Sequence, residues 1–360
     1  MVLTGARQSG KTTLAKQLLA DFTPAQYLNW DVPADRSVIA DHAWSPKARL
    51  LVFDEIHKMA EWKTFLKGAW DGRSRGQAML VTGSARMDTF RQGGESLAGR
   101  YYNWRLHPYS VRELVDTQNL SPADALARLL ERGGFPEPCL ADSTTEADRW
   151  RAQYSTDLIR EDVLDFSRIH EVRSLQLMFT LLRERVGSPI KVAGLAQTLQ
   201  ISPTTAGRYL DILEALYIVF RVTPWHRDVS RSLLKEAKVY FLDNGLVIGD
   251  AGARLENAVA AMLFKHCHQR QDAEGKPIAL HTIRDKEHHE IDFVLAEGDA
   301  VTDLIEVKLS DPTPSAYLHR MAERFASARA VQLVGELRQP AQRGRVAVTD
   351  AAGWLAALAA

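Results

Sequence analysis

The sequence predicts an α/β chain of several domains, and three stretches carry that prediction. A glycine-bearing loop, Gly5 to Thr12, lies between the apolar pair Val2-Leu3 and a helical run ending at Leu19. The stretch Leu50-Leu51-Val52-Phe53-Asp54-Glu55 runs four apolar residues into two acids. Residues 254–334 alternate helix and strand patterns in the order αβββαβ. The 360 residues leave room for two or three domains, and 46% apolar with 25% charged content is ordinary for a globular protein. The formal net charge is zero, so contact with a polyanion must come from local patches. Cys139 and Cys267 form no metal pattern and are expected as reduced thiols of a cytosolic protein. No signal peptide is read, no apolar run approaches the length of a membrane span, and no internal repeat stands out.

Gly5-Ala6-Arg7-Gln8-Ser9-Gly10-Lys11-Thr12 fits G-x-x-x-x-G-K-[ST] in a strand–loop–helix setting. Such glycines let the backbone fold round a phosphate chain with its N–H groups inward, and the helix N-terminus adds its positive dipole end. Residues Gly5 to Thr13 are therefore the expected ATP-binding loop. Lys11 would reach the β- and γ-phosphates, and Thr12 would hold Mg²⁺. A plain glycine turn is the competing reading, and the acidic strand downstream argues against it. The first strand starts at Met1, which leads to the expectation that the natural chain begins earlier or that its start is misassigned.

Tyr27 to Asp31 reads as a strand ending in polar groups. The run Leu50 to Glu55 reads as a buried parallel strand that delivers carboxylates at its C-terminal end, where open α/β sheets bind ligands. Asp54 would act on Mg²⁺, and Glu55 would polarise the attacking water as general base. Gly76 to Ser84 is a further strand whose polar end would sense the γ-phosphate. Ser84 is the first candidate and Thr82 the second, with a simple helix cap at Ser84 as the alternative. Tyr101 to Leu106 alternates like an edge or half-buried strand. Before it, Arg100 is a candidate arginine finger, in cis or from a neighbouring subunit of a homo-oligomer; a surface ion pair is the alternative.

Residues 121–187 read as helices at Ser121–Glu131, Glu146–Ile169 and Val172–Val186, broken by Gly133-Gly134-Phe135-Pro136. From Pro189 the pattern becomes helix, short turn, Ser202-Pro203 and second helix, the spacing of a helix-turn-helix. Tyr217–Val222 and Ala237–Leu242 look like the two strands of a wing. Arg221, His226, Arg227, Arg231, Lys235 and Lys238 give them a positive excess over Asp228 and Glu236, which suits phosphate contacts with DNA. The second helix carries only Arg208 as a cation, so a winged helix used for protein contacts is the alternative.

The C-terminal αβββαβ order is that of restriction-endonuclease-like folds. Asp292 falls on one strand. Glu306 and Lys308, two apart on the next, point to one face, and Glu256 on the preceding helix can complete the carboxylate cluster. Asp292, Glu306 and Glu256 would hold Mg²⁺ against a scissile phosphate, with Lys308 orienting the nucleophile. An ordinary charged strand face, or a scaffold that does not cleave, is the alternative.

These stretches together resemble a large prokaryotic family of AAA-superfamily ATPases fused to a C-terminal domain of unknown function. The resemblance rests on Leu3 to Thr13, Val52 to Ile56, Leu80 to Ser84, Gly99-Arg100, Gly133 to Glu137, Lys238 to Leu246, Glu290 to Phe293 and Ile305 to Lys308, in register from residue 2 to about 310. It implies ATP binding, ATP hydrolysis and a cytoplasmic protein, and no physiological role. The resemblance leads one to expect a further segment upstream of the first strand, which such proteins usually carry. The expected architecture is a RecA-like P-loop NTPase domain over residues 1–115, a helical lid or linker at 116–188, and a winged helix at 189–248. A restriction-endonuclease-like domain at 252–337 and a C-terminal strand and helix at 338–360 complete it. The expected function is an Mg²⁺-dependent ATPase that engages DNA and can cut it. A nucleotide-switched signalling or scaffold protein is the alternative, and a nucleotide kinase fits neither the winged helix nor the C-terminal pattern.

Overall fold

A computed structural model describes residues 1–83, 97, 99–158, 172–226 and 236–358. The chain divides into two units, Met1–His107 with Ala215–Tyr217, and Pro108–Glu214 with Ile218–Ala360.

In the first unit the apolar runs become five strands, β1 (Val2–Gly5), β2 (Ala25–Asn29), β3 (Leu50–Asp54), β4 (Ala78–Thr82) and β5 (Asn103–Leu106). Their order is β2-β3-β4-β1-β5, and every neighbouring pair is parallel. Alternate residues feed two cores. Leu51 and Phe53 pack with Val2, Ile39, Phe65 and Val81, while Leu50 and Val52 pack with Leu3, Ala15 and Leu80. A sheet covered on both faces explains why β3 reads as continuous apolar sequence instead of an alternation. Helix α1 (Lys11–Leu18) covers one face, and α2 (Pro33–Ala40) and α3 (Trp62–Asp71) cover the other. Strand β4 is inserted between β1 and β3, and β5 is an edge strand, as the sequence leads one to expect. Because all strands run the same way, Gly5, Asn29, Asp54 and Thr82 end on one edge of the sheet.

The second unit begins with α4 (Val111–Gln118), α5 (Pro122–Arg132), α6 (Pro136–Leu140), α7 (Thr144–Asp157) and α8 (Val172–Arg183). Ser110, Ser121 and Ser143 cap the starts of α4, α5 and α7, each accepting from a backbone N–H three residues on. The helix expected to reach Ile169 is described as far as Asp157; residues 159–171 lie outside the described residues. Helices α9 (Val192–Leu199) and α10 (Pro203–Ala215) flank a turn in which Gln200 takes φ 54° and the Ser202 hydroxyl accepts from Thr205 N at 3.0 Å. There follow β6 (Val219–Pro224), β7 (Lys238–Phe241), α11 (Ala251–Glu274), β8 (Ile278–Arg284), β9 (Glu290–Glu297), β10 (Ala300–Lys308), α12 (Ala316–Arg324) and β11 (Arg329–Val334). The chain closes with β12 (Ala341–Arg343), β13 (Val346–Asp350) and α13 (Ala351–Ala356).

The segment from α11 to β11 keeps the expected αβββαβ order. Its sheet extends further than the sequence suggested. One eight-stranded sheet, β12-β13-β11-β10-β9-β8-β6-β7, takes in both the hairpin read as a wing and the strands after residue 337. Thr223 and Pro224 pair in parallel with His281 and Thr282, and β13 pairs in parallel with β11. The hairpin is thus the sheet's own edge, and that placement decides what its lysine does.

Candidate functional site

The first site is assembled on the shared edge of the five-stranded sheet. Gly5 has φ 148°, and a Cβ there would lie 2.3 Å from the Leu106 carbonyl oxygen of β5. Gly10 takes φ 95° and Gln8 φ 63°, so the loop turns through left-handed backbone before α1. Gly10 caps α1 without a side chain, leaving the first amides of the helix open to a ligand. Lys11 is buried and folds back onto the loop, donating to Ala6 O at 2.6 Å and Gly5 O at 3.2 Å. The Ser9 hydroxyl is buried and meets no hydrogen-bond partner among the described residues.

Asp54 ends β3 almost fully buried and gathers three hydroxyls. Thr12 donates to Oδ2 at 2.8 Å, Thr82 donates to Oδ1, and Tyr27 donates to Oδ2. Asn29 supports Tyr27 from the amide side at 3.4 Å. Burial, and then the Asp54 carboxylate beside it, hold the Tyr27 phenol well above its ordinary range. Glu55 takes the left-handed conformation, φ 57°, and its carboxylate lies 3.3 Å from Lys58 Nζ and 3.7 Å from His57 Nε2. Non-glycine residues held at positive φ cost energy that tends to collect at functional sites, and both Gln8 and Glu55 stand at this edge.

The structure puts the Thr12 hydroxyl on Asp54, with Lys11 next to Thr12 and Glu55 next to Asp54 in the chain. Thr82, the second candidate for the polar strand end, joins them; Ser84 lies outside the described residues. Arg100 does not join them. It precedes β5, which runs parallel to β1, so it sits where β1 begins, beside Met1 and Val2, and pairs with Asp71 at 3.2 Å. That placement overturns the reading of Arg100 as a finger acting in cis. Tyr27 was missed, although its spacing of two from Asn29 on a strand with a polar end was visible.

The second site lies on the eight-stranded sheet. Continuing the register Ile305↔Phe293 by one residue places Glu306 opposite Asp292. Asp292 Oδ2 accepts from Val307 N at 2.8 Å. Glu306 takes Lys308 Nζ at 3.0 Å on Oε1 and the Ser315 hydroxyl at 2.9 Å on Oε2. Glu256 Oε1 accepts from Tyr240 OH at 2.7 Å and from Lys238 Nζ at 3.2 Å, and Lys238 also bridges to Glu290. Burial, then the Glu256 charge, push Asp292 up to about 7, against the pull of Lys238, the Val307 N–H and Lys308. Burial works against the charge on Lys238, yet Glu256, Glu290 and Asp292 keep it raised. Among the described residues, three ligand atoms come within 4.8 Å of one another at Asp285, Glu287 and His289, and not at Asp292, Glu306 and Glu256.

This corrects the expected wing. Lys238 is buried in the carboxylate cluster, so it offers no charge to a polyanion. Arg221 is held by Asp211 at 2.8 Å and by Glu214. Arg227, Arg231 and Lys235 lie outside the described residues. The sequence reading missed Tyr240, Glu290 and Ser315 as parts of the cluster. The spacing Lys238-Val239-Tyr240 and Glu290-Ile291-Asp292, two residues on one strand face each time, was the available signal.

Residues 1–115 match the family model described as AAA domain, over the same stretch as the parallel sheet and its loop. The N-terminal part is similar to AAA domains. It is fused to two domains of unknown function, with residues 123–255 matching DUF8612 and residues 251–351 matching DUF4143. No described helix is long and apolar enough to cross a membrane. Uncharacterized proteins of Mycobacterium tuberculosis and Mycobacterium bovis are each 31% identical over 249 residues, 69% of this chain and 55% of theirs. The chain thus spans about half the length of these curated relatives. An uncharacterized protein of Haemophilus influenzae is 23% identical over 334 residues, covering 83% of this chain and 80% of its own.

Proposed function

We propose that the chain is an Mg²⁺-dependent ATPase whose nucleotide state governs engagement of DNA by its C-terminal part. The observation that carries the first half is the Thr12 hydroxyl on the Asp54 carboxylate at 2.8 Å, beside a loop that buries Lys11. The unpartnered Ser9 hydroxyl and the uncapped start of α1 offer donors to phosphate oxygens, so the loop fits the nucleotide. Thr12 and Asp54 supply the hard oxygen ligands that Mg²⁺ takes, and the ion when bound neutralises charge on the phosphates. Lys11 leaves the loop carbonyls for the β- and γ-phosphates. Glu55 leaves Lys58, accepts a proton from the attacking water, and so directs its oxygen to the γ-phosphorus as the bond to the ADP oxygen breaks. Thr82 and Tyr27 hold the Asp54 carboxylate in place. Arg100 can complete such a site only from a neighbouring copy.

Glu55→Gln is expected to keep ATP affinity within about twofold while cutting phosphate release by about a hundredfold or more. Nucleotide titration and a phosphate-release assay on the same preparation check it; normal turnover places the base elsewhere.

For the C-terminal part, Asp292, Glu306, Lys308 and Glu256 on neighbouring elements support a cation-dependent phosphodiesterase reading. Cleavage of mixed DNA and RNA substrates with Mg²⁺ or Mn²⁺, with and without ATP, is expected from the wild type. It should be lost in Asp292→Ala and in Lys308→Ala. The internal pairing of Lys238 and Arg221 favours a second reading, a switch whose C-terminal part binds a protein. An intact ATPase with no cleavage, and DNA binding that depends only shallowly on salt, would select that reading.

A further inference from the structure

One buried side chain beside the carboxylate cluster has no assigned part. Gln332 lies on β11, wholly buried, and in the parallel register of β10 and β11 it is the partner of Glu306. On its other side its partner is Val348 of β13. Register partners share a face, so Glu306, Gln332 and Val348 form one row across three adjacent strands, and Asp292 stands beside Glu306 one residue past the last β9–β10 pair, Ile305↔Phe293, with its carboxylate on Val307 N. At the ordinary strand spacing, Gln332 stands about 5 Å from the Glu306 backbone and about 10 Å from that of Asp292.

The amide of Gln332 is fixed. Its Nε2 donates to Asp311 O at 2.7 Å, and a carbonyl can only accept, so the side chain cannot be flipped. That leaves Oε1 as a buried acceptor, and among the described residues it meets no donor. An unpaired buried carbonyl costs about 1–3 kcal/mol, so a native chain keeps one where something fills it. The filler must bring an N–H, an O–H or a cation. In the row, Val348 supplies none, and the neighbour on the other side is the Glu306 carboxylate. A group that satisfies Oε1 on the Glu306 side of the row would sit against a carboxylate as well. Water in the shell of a divalent cation donates to an amide oxygen while the cation faces the acids.

We infer that Gln332 is a positioning residue of the C-terminal site, its Oε1 accepting from water bound to a divalent cation held by Asp292 and Glu306. This rests on the reading of Asp292 and Glu306 as cation ligands. It adds a third polar member, from the strand beyond the acids, that no spacing around Glu306 and Lys308 reveals.

The test is Mn²⁺ binding to the nucleotide-free full chain, followed by the electron paramagnetic resonance signal of free Mn²⁺. The wild type should bind an ion that Asp292→Asn, which keeps the acceptor for Val307 N, no longer holds. Gln332→Met, close in volume and with only a weak thioether acceptor in place of the amide oxygen, should weaken that ion about tenfold, the scale of a lost outer-shell partner. Its melting temperature without metal should change little, since the unpaired acceptor goes together with the bond from Nε2 to Asp311 O. Gln332→Glu keeps an acceptor and adds charge. It should bind Mn²⁺ more tightly than the wild type and melt earlier until the ion is added, and it decides the matter should the Met variant not fold. If Asp292→Asn abolishes binding while both Gln332 variants stay within about twofold of wild type, Gln332 meets ordinary buried water and the assignment fails. Mn²⁺ binding that survives Asp292→Asn removes the cation site itself, and Gln332 with it.

Discussion

Lys11→Ala is expected to lower ATP affinity by about a hundredfold or more while leaving the fold intact. A lysine bond to phosphate is charge-assisted, and such bonds are worth about 1.5–3 kcal/mol each. Losing contact with both the β- and γ-phosphates therefore removes about 3 kcal/mol or more, and each 1.4 kcal/mol is about tenfold. The fold should not follow, because the loop's shape does not depend on this side chain. Gly5 is fixed by the approach of Leu106, and Gly10 and Gln8 set the turn through their backbone angles. What the variant loses in the empty protein are the bonds to Ala6 O and Gly5 O. Calorimetric titration with ATP and Mg²⁺, next to a thermal melt, measures both halves. Undiminished ATP affinity would mean that the loop does not cradle phosphates, whatever its sequence.

How much of this was legible depends on which interactions are local in the chain. The apolar run of β3 into Asp54 forecast both a strand buried on two faces and the edge on which a site would form, because burial and chain direction are written in consecutive residues. The αβββαβ order was legible for the same reason. Lateral neighbours were not. Tyr27 reaches Asp54 because β2 pairs with β3, and nothing near residue 27 announces that pairing. Lys238 read as an exposed wing cation until the β6–β8 pairing put its hairpin on the edge of a large sheet, where a buried ammonium needs the carboxylates of Glu256 and Glu290. Arg100 read as a surface ion pair or as a finger, and it is the ion pair, with Asp71, that the structure holds. The parallel pairing of β5, which follows it, with β1 sends it to the opposite edge. In each case the deciding fact is a register between segments far apart in the sequence.

The glycines at 133, 134 and 245 belong to the resemblance to a known family without an obvious task, and Asp243 supplies one. Its side chain is almost fully buried. Oδ1 accepts from Gly134 N and from Phe135 N at 3.3 Å, and Oδ2 accepts from Gly245 N at 3.1 Å. A Cβ at Gly133 would lie 2.5 Å from this carboxylate, and one at Gly245 would lie 2.8 Å from it. The glycines make room for an acid that ties the start of α6 to the turn after β7. Asp243→Ala strands the buried N–H groups of Gly134 and Phe135 and the partly buried one of Gly245 at about 1–3 kcal/mol each, so the second unit should lose about 3–9 kcal/mol. Denaturant unfolding measures this. A loss under about 1 kcal/mol would mean that water replaces the carboxylate freely.

The acid also leaves a pH signature. Burial, the largest influence, pushes Asp243 up to about 6, although the N–H groups of Gly134 and Phe135, the Arg151 charge and the Gly245 N–H pull it down. In the unfolded chain it ionises near 3.8. Between those values the native state holds a proton that the unfolded state releases. The contribution is complete below about 4 and is lost as the pH rises through about 6, a difference of about 3 kcal/mol for a gap of two units. Asp243→Asn has no proton to release. It keeps the acceptor for Gly134 and Phe135 but turns an NH₂ toward Gly245 N. Its deficit against the wild type should therefore be largest near pH 4 and shrink toward pH 7. A deficit that grows instead would mean that the N–H groups outweigh burial and that the protein holds Asp243 as the ion.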